Sequence, residues 1–498
     1  MKNGFLFIVF FLLGHCCLTA QSSQCGFDFS ESQLKHFLSN KKGKEAFKNR
    51  SQETVYIPVK FHTVADVEGE GRVRFENVLD QLCAINENFQ DLGFRFYLKD
   101  GTVNEVNDNT IYNNPSSAAG TTKMAGVKSQ FGKNALNIFV TDNAGQGTNG
   151  LGTTLGYYDF NQDLVVLKKS TLANNVQVRF VLGHELGHFF SLPHTFNGWD
   201  AEPWDGEPVT SNFSPGGVLN ELADSSNCEN AGDMICDTPA DYNLGFGWDG
   251  CREYDGGCMD PNGELLDPDQ SNFMGYFLGC DDYFFSEEQK SIIESDYFSP
   301  RRAYLRTSFR PADEEIEPVA KAVSPADDST TPFFNGVHME WEPSENATHY
   351  LVELTQALFK FYYVTEQPSL FLTDLKADKN YRWKVKAFSV LNTCTDYSSS
   401  FSFETGDLSS SIDEEKVMDL EVNVFPNPFD GNFLNIELKN SLKNEHYIEL
   451  YDINGRILSS GYYTQNIIKL ENLDLRTGLY LLNIKNENGI VTKKIVVE

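Results

Sequence analysis

Three histidines, His184, His188 and His194, lie close together in the stretch LGHELGHFFSLPHTF, which runs from residue 182 to residue 196. On a helix, His184 and His188 would project from one face about 6 Å apart, so a single metal ion could bind both. Pro193 would end that helix, and the chain could turn back to bring His194 to a third ligand position. Catalytic zinc takes three protein ligands and keeps a fourth position open for water. The spacing therefore predicts a catalytic zinc site.

Glu185 directly follows the first of these histidines. A carboxylate in that place reaches a metal-bound water rather than the metal, and it can move a proton from the attacking water to a leaving amine. The alternative is that the histidines belong to the core or surface of an ordinary helix. An HExxH pattern arises by chance in about one chain in a hundred of this composition, and a further histidine six positions later lowers that about fifty-fold. The zinc interpretation is therefore favoured.

The segment HELGHFFSLPH resembles the long zinc-binding motif of the metzincin endopeptidases, and GDMICDTP and SNFMGY resemble the pappalysin family in particular. The resemblance covers residues 51 to about 310 and implies zinc-dependent cleavage of protein or peptide substrates. Met274 would form the methionine turn beneath the zinc site, and Tyr276 would help to stabilise the tetrahedral intermediate. Ser191 stands where the family usually has glycine, and a left-handed serine would cost on the order of 1 kcal/mol.

The same resemblance implies a calcium site in the segment GDMICDTP. Its ligands would be Asp233, Asp237 and Thr238, whose hard oxygen atoms suit calcium. A solvated acidic loop without a bound ion is the alternative.

Five cysteines lie between residues 228 and 280. Disulfide bonds are the default for such a cluster in an oxidising compartment. By analogy in order around the methionine turn, the expected pairs are Cys228–Cys251 and Cys258–Cys280. This pairing leaves Cys236 without a partner.

The N-terminal residues 1–20 have the pattern of a secretory signal peptide. Lys2 precedes an apolar run at residues 5–13, and small residues come before a cleavage site near Ala20. The run is too short to span a membrane. A lipoprotein anchor on Cys16 or Cys17 is a less favoured alternative. The mature protein is expected to be secreted or to lie on the cell surface after passing through the periplasm.

Residues 21–50 are expected to form a pro-segment that is removed by cleavage near Arg50–Ser51. The sequence QCGFDF in this segment resembles the pro-segment cysteine of the pappalysin family. The resemblance implies that the Cys25 thiolate occupies the open position on zinc, which soft sulfur suits. The alternative is a disulfide bond between Cys25 and Cys83.

A chain of 498 residues is too long for one ordinary domain, so several are expected. The resemblance implies an α+β metzincin-like catalytic domain at residues 51–310, with a twisted mixed sheet, an active-site helix and a loop-rich lower subdomain. Pro58 favours an edge position for the strand that begins at Val55. Ser286 and Gln289 form a capping-box pattern at the start of the closing helix. Two all-β sandwich domains are expected to follow.

The first of these, residues 317–406, resembles a fibronectin type III module, with Trp341 and the run YRWKVKAFS as supporting residues. The second, residues 421–498, resembles the sorting domain of the type IX secretion system of Bacteroidetes. FPNP, YDINGR and the terminal strands carry that resemblance, and it implies that the secretion machinery is a partner. A second adhesive sandwich is the alternative.

The net charge of −31 over 498 residues excludes most nucleic-acid binders, which need a basic face. After the signal peptide, no stretch reaches the roughly 18 apolar residues that a membrane span requires. The leading hypothesis is a secreted zinc endopeptidase whose cleavage preference the sequence does not give. A catalytically weak, surface-attached binding protein on a metalloprotease scaffold is the alternative.

Overall fold

The structure is a computed structural model. It describes residues 23–24, 29–43, 53–145, 153–172, 180–319, 321–408, 421–439, 446–452, 457–471, 473, 475–486 and 489–497. The predicted signal peptide, Cys25 and the predicted cleavage near Arg50–Ser51 lie outside these residues. The chain divides into two compact units: Met1–Val323 with Glu340–Leu370 and Arg382–Phe401, and Ser324–Met339 with Phe371–Tyr381 and Ser402–Glu498.

The first part of the chain alternates helices and strands, with short 3-10 turns between several of them. In chain order these elements are β1 (Ser23–Gln24), α1 (Glu31–Gly43), β2 (Val55–Ala65), α2 (Phe75–Asn88), β3 (Phe94–Leu98), β4 (Asn104–Asn107), α3 (Asn109–Asn113), α4 (Ala118–Phe131), β5 (Leu136–Thr141), β6 (Thr153–Thr154), β7 (Gly156–Asp159), β8 (Leu164–Lys168), α5 (Val181–Phe189) and α6 (Glu287–Phe298).

Six of these strands form one mixed sheet, as predicted. The order is β3-β2-β5-β8-β7, and β4 pairs with the far end of β2. The strands β3, β4, β5 and β8 run parallel to their neighbours, whereas β7 is antiparallel to β8 and forms one edge of the sheet. The outer side of an edge strand carries backbone N–H and C=O groups that pair with no neighbouring strand of the sheet.

The predicted edge position of the strand containing Pro58 is wrong, because β2 lies inside the sheet. β2 pairs with β3 over residues 55–59 and with β5 over residues 59–63. Pro58 therefore has a neighbouring strand on one side only. A residue without a backbone N–H fits there without removing a hydrogen bond from a second partner.

The main apolar core lies between the sheet and helices α2, α5 and α6. Helix α2 buries Leu82 and Ile85, and α5 buries Leu186 and Phe189 in the same cluster. Helix α1 adds Phe37, which is fully buried there. The predicted capping box of Ser286 and Gln289 is present at the start of α6.

The fully described stretch between α5 and α6 forms no helix or strand, in agreement with the expected loop-rich part of residues 51–310. It folds around a separate aromatic cluster that includes Phe196, Trp199, Tyr242 and Phe277. Packing around this cluster therefore holds the irregular backbone between α5 and α6 in place beside the end of α5.

Eight strands follow: β9 (Ala322–Ser324), β10 (Ser329–Phe333), β11 (Val337–Trp341), β12 (His349–Gln356), β13 (Phe359–Thr365), β14 (Ser369–Leu372), β15 (Asn380–Phe388) and β16 (Phe401–Leu408). Within the first unit, β12 is antiparallel to both β13 and β15. A disulfide bond between Cys83 and Cys394 joins α2 to the loop after β15. Beside it, Thr393 Oγ1 donates a hydrogen bond to the Leu79 carbonyl at 3.0 Å.

The second unit ends in an all-β region of seven strands. These are β17 (Glu421–Phe425), β18 (Phe433–Lys439), β19 (His446–Asp452), β20 (Ile457–Tyr463), β21 (Ile467–Glu471), β22 (Gly478–Asn486) and β23 (Gly489–Val497). They form two sheets, β17-β18-β21 and β20-β19-β22-β23. Both sheets contribute to one apolar core that includes Ile436, Leu450 and Leu482. The chain is therefore a multidomain mixture of α/β and all-β structure, in agreement with the predicted class at that level.

Candidate metal centre

Helix α5 holds the first two histidines of the predicted zinc site. All nine of its residues are buried. Leu182, Leu186 and Phe189 belong to the main core. His184 and His188 come from positions four apart, and their rings lie 4.8 Å from each other between centroids. The helical spacing therefore brings the two imidazoles together, as predicted.

A tight bend after α5 brings the third histidine back toward the helix. The backbone N–H of Ser191 donates to the His188 carbonyl at 3.0 Å, and that of Leu192 donates to the Gly187 carbonyl at 2.9 Å. Ser191 has a φ of 75°, which is the left-handed conformation expected from its position. The bend places His194 beside the other two histidines.

The Nε2 atoms of the three histidines converge. His194 Nε2 lies 3.0 Å from His188 Nε2 and 3.2 Å from His184 Nε2. Zinc–nitrogen bonds of about 2.0–2.1 Å at tetrahedral angles require nitrogen atoms about 3.3 Å apart. The three side chains therefore fit a zinc ion with little adjustment.

The opposite ring nitrogen of each histidine is held by an oxygen atom. His184 Nδ1 lies 2.5 Å from the Phe273 carbonyl, and His188 Nδ1 lies 2.8 Å from the Leu192 carbonyl. His194 Nδ1 lies 2.5 Å from Asp200 Oδ1. Since an Nδ1–H must donate to each of these oxygens, every Nε2 is left with its lone pair toward the centre of the site. These partners orient the three imidazoles as metal ligands.

Asp200 is a functional residue that the sequence reasoning missed. Its other oxygen, Oδ2, accepts a hydrogen bond from the backbone N–H of Gly198 at 2.9 Å. The carboxylate is thus fixed on both sides. An acidic residue a short distance beyond the third histidine is the one local signal that could have indicated it.

Burial keeps the first two histidines neutral. Desolvation, followed by the neighbouring His194, lowers the pKa of His184 to about 3. The same causes, with His184 added, lower the pKa of His188 well below its usual value. Neutral imidazole is the form that binds a metal, so these ligands need not lose a proton at neutral pH.

Glu185 is fully buried beside the edge strand β7. A Cβ atom added at Gly156 would lie 2.8 Å from Glu185 Oε1 and 3.0 Å from its Cγ. A side chain at residue 156 would therefore push the carboxylate away. Gly156 is a second position that the sequence reasoning did not identify, because its requirement arises from close approach between distant segments.

Met274 and Tyr276 both lie at the histidine site. A side chain at Gly187 of α5 would overlap the Met274 sulfur, and the Met274 carbonyl accepts from the Thr195 backbone N–H at 3.2 Å. The Tyr276 ring lies 5.0 Å from the His194 ring and 5.8 Å from the His184 ring between centroids. The methionine thus lies under the helix and bend, and the tyrosine lies beside the imidazoles.

Two of the three residues predicted to bind calcium lie in a buried acidic pocket. Asp233 is fully buried, and Thr238 Oγ1 donates to its Oδ2 at 2.9 Å. Glu221, which the sequence reasoning did not include, is 2% exposed. Among the described residues, neither of its side-chain oxygens has a hydrogen-bond partner. A Cβ at Gly232 would lie 2.6 Å from Glu221 Oε2, so the carboxylate lies against the Gly232–Asp233 segment.

Asp237, the third predicted calcium ligand, has a different set of contacts. Its Oδ1 accepts from the Ser286 hydroxyl at 2.6 Å, and its Oδ2 accepts from the Glu288 backbone N–H at 2.7 Å. Both oxygens therefore serve the first turn of α6, where the helix dipole also favours a negative charge.

The predicted disulfide pairing is wrong. The structure pairs Cys228 with Cys236 and Cys251 with Cys280, while Cys258 is a buried free thiol. Order along the chain does not determine which cysteines meet, because irregular loops can bring any of them together. The alternative partner suggested for Cys25 is also wrong, since Cys83 pairs with Cys394.

The comparisons with known proteins concern the C-terminal region and the metal centre. A family model described as "Secretion system C-terminal sorting domain" matches residues 423–498. The chain is 28% identical over 212 residues to a protein of Verticillium alfalfae named "Extracellular metalloprotease", covering 40% of this chain and 62% of that one. It is 27% identical over 262 residues to a protein of Colletotrichum graminicola with the same name, covering 50% and 78%.

Solved structures similar to this chain include fibronectin type III domains. The chicken CNTN1 FN1-FN3 domains match with 15% identity and a TM-score of 0.17, covering 37% of this chain and 69% of that one. The fn3 domain of human collagen alpha-1(XX) chain matches with 23% identity and a TM-score of 0.15, covering 22% and 99%.

The sorting-domain match confirms the predicted nature of the C-terminal region and identifies a secreted or cell-surface protein. Within the described residues, every helix is too short or too polar to cross a bilayer. The similarity to extracellular metalloproteases supports a secreted metalloprotease. The chain spans less than two thirds of the Verticillium protein, at 62% of its length.

Proposed function

We propose that this chain is a secreted zinc-dependent endopeptidase of the pappalysin type. The observation that carries the proposal is the convergence of the His184, His188 and His194 Nε2 atoms, two pairs of which lie 3.0 and 3.2 Å apart. A set of three imidazoles, each oriented through its Nδ1, is the ligand arrangement of a catalytic rather than a structural zinc site.

Glu185 is the proposed general base and acid. A bound zinc ion would supply Lewis acidity toward a peptide carbonyl and toward water. Glu185 would accept a proton from the attacking water and deliver it to the leaving amine. Its burial against Gly156 fixes the carboxylate in one place and keeps bulk water away from it. Tyr276 would donate its hydroxyl proton in a hydrogen bond to the oxyanion of the tetrahedral intermediate.

The decisive experiment combines metal analysis with a peptide-cleavage assay. Mature protein should contain one zinc ion per chain and should cleave casein or gelatin in a chelator-sensitive manner. Glu185→Gln should retain that zinc and lose cleavage. Glu202→Gln, at an exposed position, is the matched control and should keep full activity. Cleavage by the Glu185→Gln form, or mature protein without stoichiometric zinc, would overturn the proposal.

A catalytically weak binding protein on the same scaffold is the second candidate. It would account for the all-β regions after residue 321, which resemble attachment modules in their strand pattern. The burial of Glu185 beside three oriented histidines favours the enzyme, because a binding protein has no use for that carboxylate. Zinc-loaded protein that cleaves none of a broad peptide library would favour the binding protein.

Calcium binding is proposed for the buried acidic pocket, with Glu221, Asp233 and Thr238 as side-chain ligands. Burial, followed by the nearby carboxylates of Asp233 and Asp241, raises the pKa of Glu221 to about 9. A divalent cation would offset that repulsion, and oxygen atoms are the ligands that calcium prefers. Calorimetric titration of chelator-treated protein should give one calcium ion per pocket; no heat of binding would exclude the site.

The C-terminal region is proposed to engage the type IX secretion machinery. The match over residues 423–498 supports this. Deletion of residues 421–498 should leave the protein in the periplasm, whereas continued secretion of the shortened chain would contradict the assignment.

A further inference from the structure

We propose that helix α1 braces the bend that carries His194, with Asn40 as a positioning residue for the zinc ligands. The inference rests on the zinc centre proposed above and concerns residues that do not touch the metal. Its starting point is Ser191, which replaces the glycine that the left-handed conformation at this bend would favour.

Asn40 contacts the bend directly from α1. Its side-chain Nδ2 donates to Ser191 Oγ at 2.9 Å and to Asp296 Oδ1 of α6, also at 2.9 Å. Asn40 is 4% exposed and Ser191 is 8% exposed. Because both groups are shielded from water, loss of one partner would leave the other buried without its hydrogen bond.

Asp296 extends this contact to the last turn of α5. It is fully buried, accepts from Arg302 Nε at 2.8 Å and lies 2.5 Å from His36 Nε2 of α1. Arg302 also donates to the Phe189 carbonyl, at the end of α5. One network of hydrogen bonds therefore reaches both the backbone of Phe189, two residues before Ser191, and the Ser191 side chain itself.

The conformation of the bend is strained, so contacts from outside the bend are needed to hold it. Ser191 lies at a φ of 75°, which an L-residue other than glycine adopts at a cost. The next residue, Leu192, supplies the carbonyl that orients His188 at 2.8 Å. A shift of the bend would therefore move two things together: the Leu192 carbonyl that orients His188, and His194 itself. The Asn40 hydrogen bond opposes such a shift.

Helix α1 is anchored firmly enough to act as a brace. Phe37 is fully buried in the main core. Lys41, one residue after Asn40, donates to the Met234 carbonyl and pairs with Glu229 at 2.8 Å. These contacts fix the helix on both sides of Asn40. Because α1 lies within the predicted pro-segment at residues 21–50, the brace acts in the chain before that segment is removed.

The test measures zinc affinity in the full-length chain carrying Glu185→Gln, which prevents self-cleavage. Competition with a chromogenic chelator should show zinc binding 10- to 100-fold weaker in Asn40→Ala, the range usual for residues that orient metal ligands. Adding Ser191→Gly to Asn40→Ala should restore most of the affinity, because glycine removes both the strain and the buried hydroxyl. Lys35→Ala, on the exposed face of α1 at 73% side-chain exposure, is the control and should change nothing.

A second variant and a spectroscopic readout keep the test independent of folding. Ser191→Ala leaves α1 intact, removes only the hydroxyl and should weaken zinc binding to a similar degree. The visible spectrum of the cobalt-substituted protein should change in Asn40→Ala and return in the double variant. Unchanged affinity in both single variants, or no recovery with Ser191→Gly, would overturn the brace while leaving the zinc centre in place. A parent chain that binds no zinc would overturn both.

Discussion

Two clusters of buried carboxylates in the first unit differ in their electrostatics. In one, Arg302 contacts both Asp163 and Asp296 beneath the end of α5. In the other, Glu221 lies close to Asp233 and Asp241 in the loop region. The first cluster contains its own cation at the centre. In the second, the carboxylates of Asp233 and Asp241 outweigh Lys41, which is the weakest of the influences on Glu221.

The pKa values follow from that difference. Burial alone would raise the pKa of Asp163, but Arg302 and Lys128 outweigh it, and the pKa falls to about 2. For Glu221, burial and the neighbouring carboxylates act in the same direction and raise the pKa to about 9. The arginine thus keeps Asp163 ionised within the fold, whereas the ionised form of Glu221 is disfavoured by burial and by its neighbours.

The largest expected effect comes from removing the internal cation. Arg302→Met should lower the free energy of unfolding by about 3–5 kcal/mol, because two buried carboxylates lose their partner. Urea unfolding of this variant and of Arg310→Met, at an exposed position, makes the comparison. A loss below 1 kcal/mol would mean that other groups compensate Asp163 and Asp296, and the contrast between the clusters would not hold.

Glu221→Gln should have effects of opposite sign with and without calcium. The folded pKa of about 9 lies above the unfolded value, so the stability linked to this group is complete below the unfolded pKa and is lost progressively as the pH rises from there to about 9. At pH 8 in chelator, the neutral variant should therefore be more stable than the parent. With calcium at 100 times its dissociation constant, the parent should gain about 2.7 kcal/mol and the variant much less. Thermal unfolding in chelator and in calcium measures both effects; equal calcium responses would exclude Glu221 as a ligand.

Asp163→Asn should show a pH dependence set by the Arg302 cluster. The folded pKa of about 2 lies below the unfolded value, so Asp163 contributes stability above about pH 4 that is lost as the pH falls toward 2. The parent should exceed the variant by roughly 2 kcal/mol at pH 5, and the difference should shrink toward pH 2. Asparagine also tolerates the positive φ of 54° at this position. A difference that stays constant from pH 5 to pH 2.5 in urea unfolding would exclude the ion pair as its cause.

The smallest expected effect is at Asp237. Asp237→Asn should cost about 1 kcal/mol, because it weakens the hydrogen bonds and the charge at the start of α6. Calcium affinity should not change, in contrast to Glu221→Gln. Calorimetric titration tests this directly, and weaker calcium binding by Asp237→Asn would show that Asp237 is a calcium ligand.

The sequence predicted the features that local spacing determines. His184 and His188 are four apart on a helix, so their proximity needs no knowledge of the rest of the fold. The bend at Ser191 follows from the residues on either side of it. The capping box of Ser286 and Gln289 is equally local. These are the parts of the site and fold that the structure reproduces.

Contacts between distant segments could not be predicted in the same way. Glu221 meets Asp233 through an irregular loop, and Gly156 meets Glu185 through packing of β7 against α5. Cys394 lies 311 residues from Cys83, its partner. Neither spacing nor periodicity contains such information, and analogy with the order of cysteines in relatives gave the wrong pairs. Pro58 shows that a proline does not by itself identify an edge strand. A strand can be central in a sheet and still lack a neighbour on one side at a single residue.

The Cys83–Cys394 bond closes the chain into a covalent ring that contains the whole metal centre. A nick at any peptide bond between those two residues opens the backbone but leaves both fragments on one molecule. The sorting region at 423–498 lies outside the ring, so a cut beyond residue 394 can free it without opening the loop. On an electrophoretic gel, protein cut only between residues 83 and 394 should therefore migrate as one species until a thiol reductant is added.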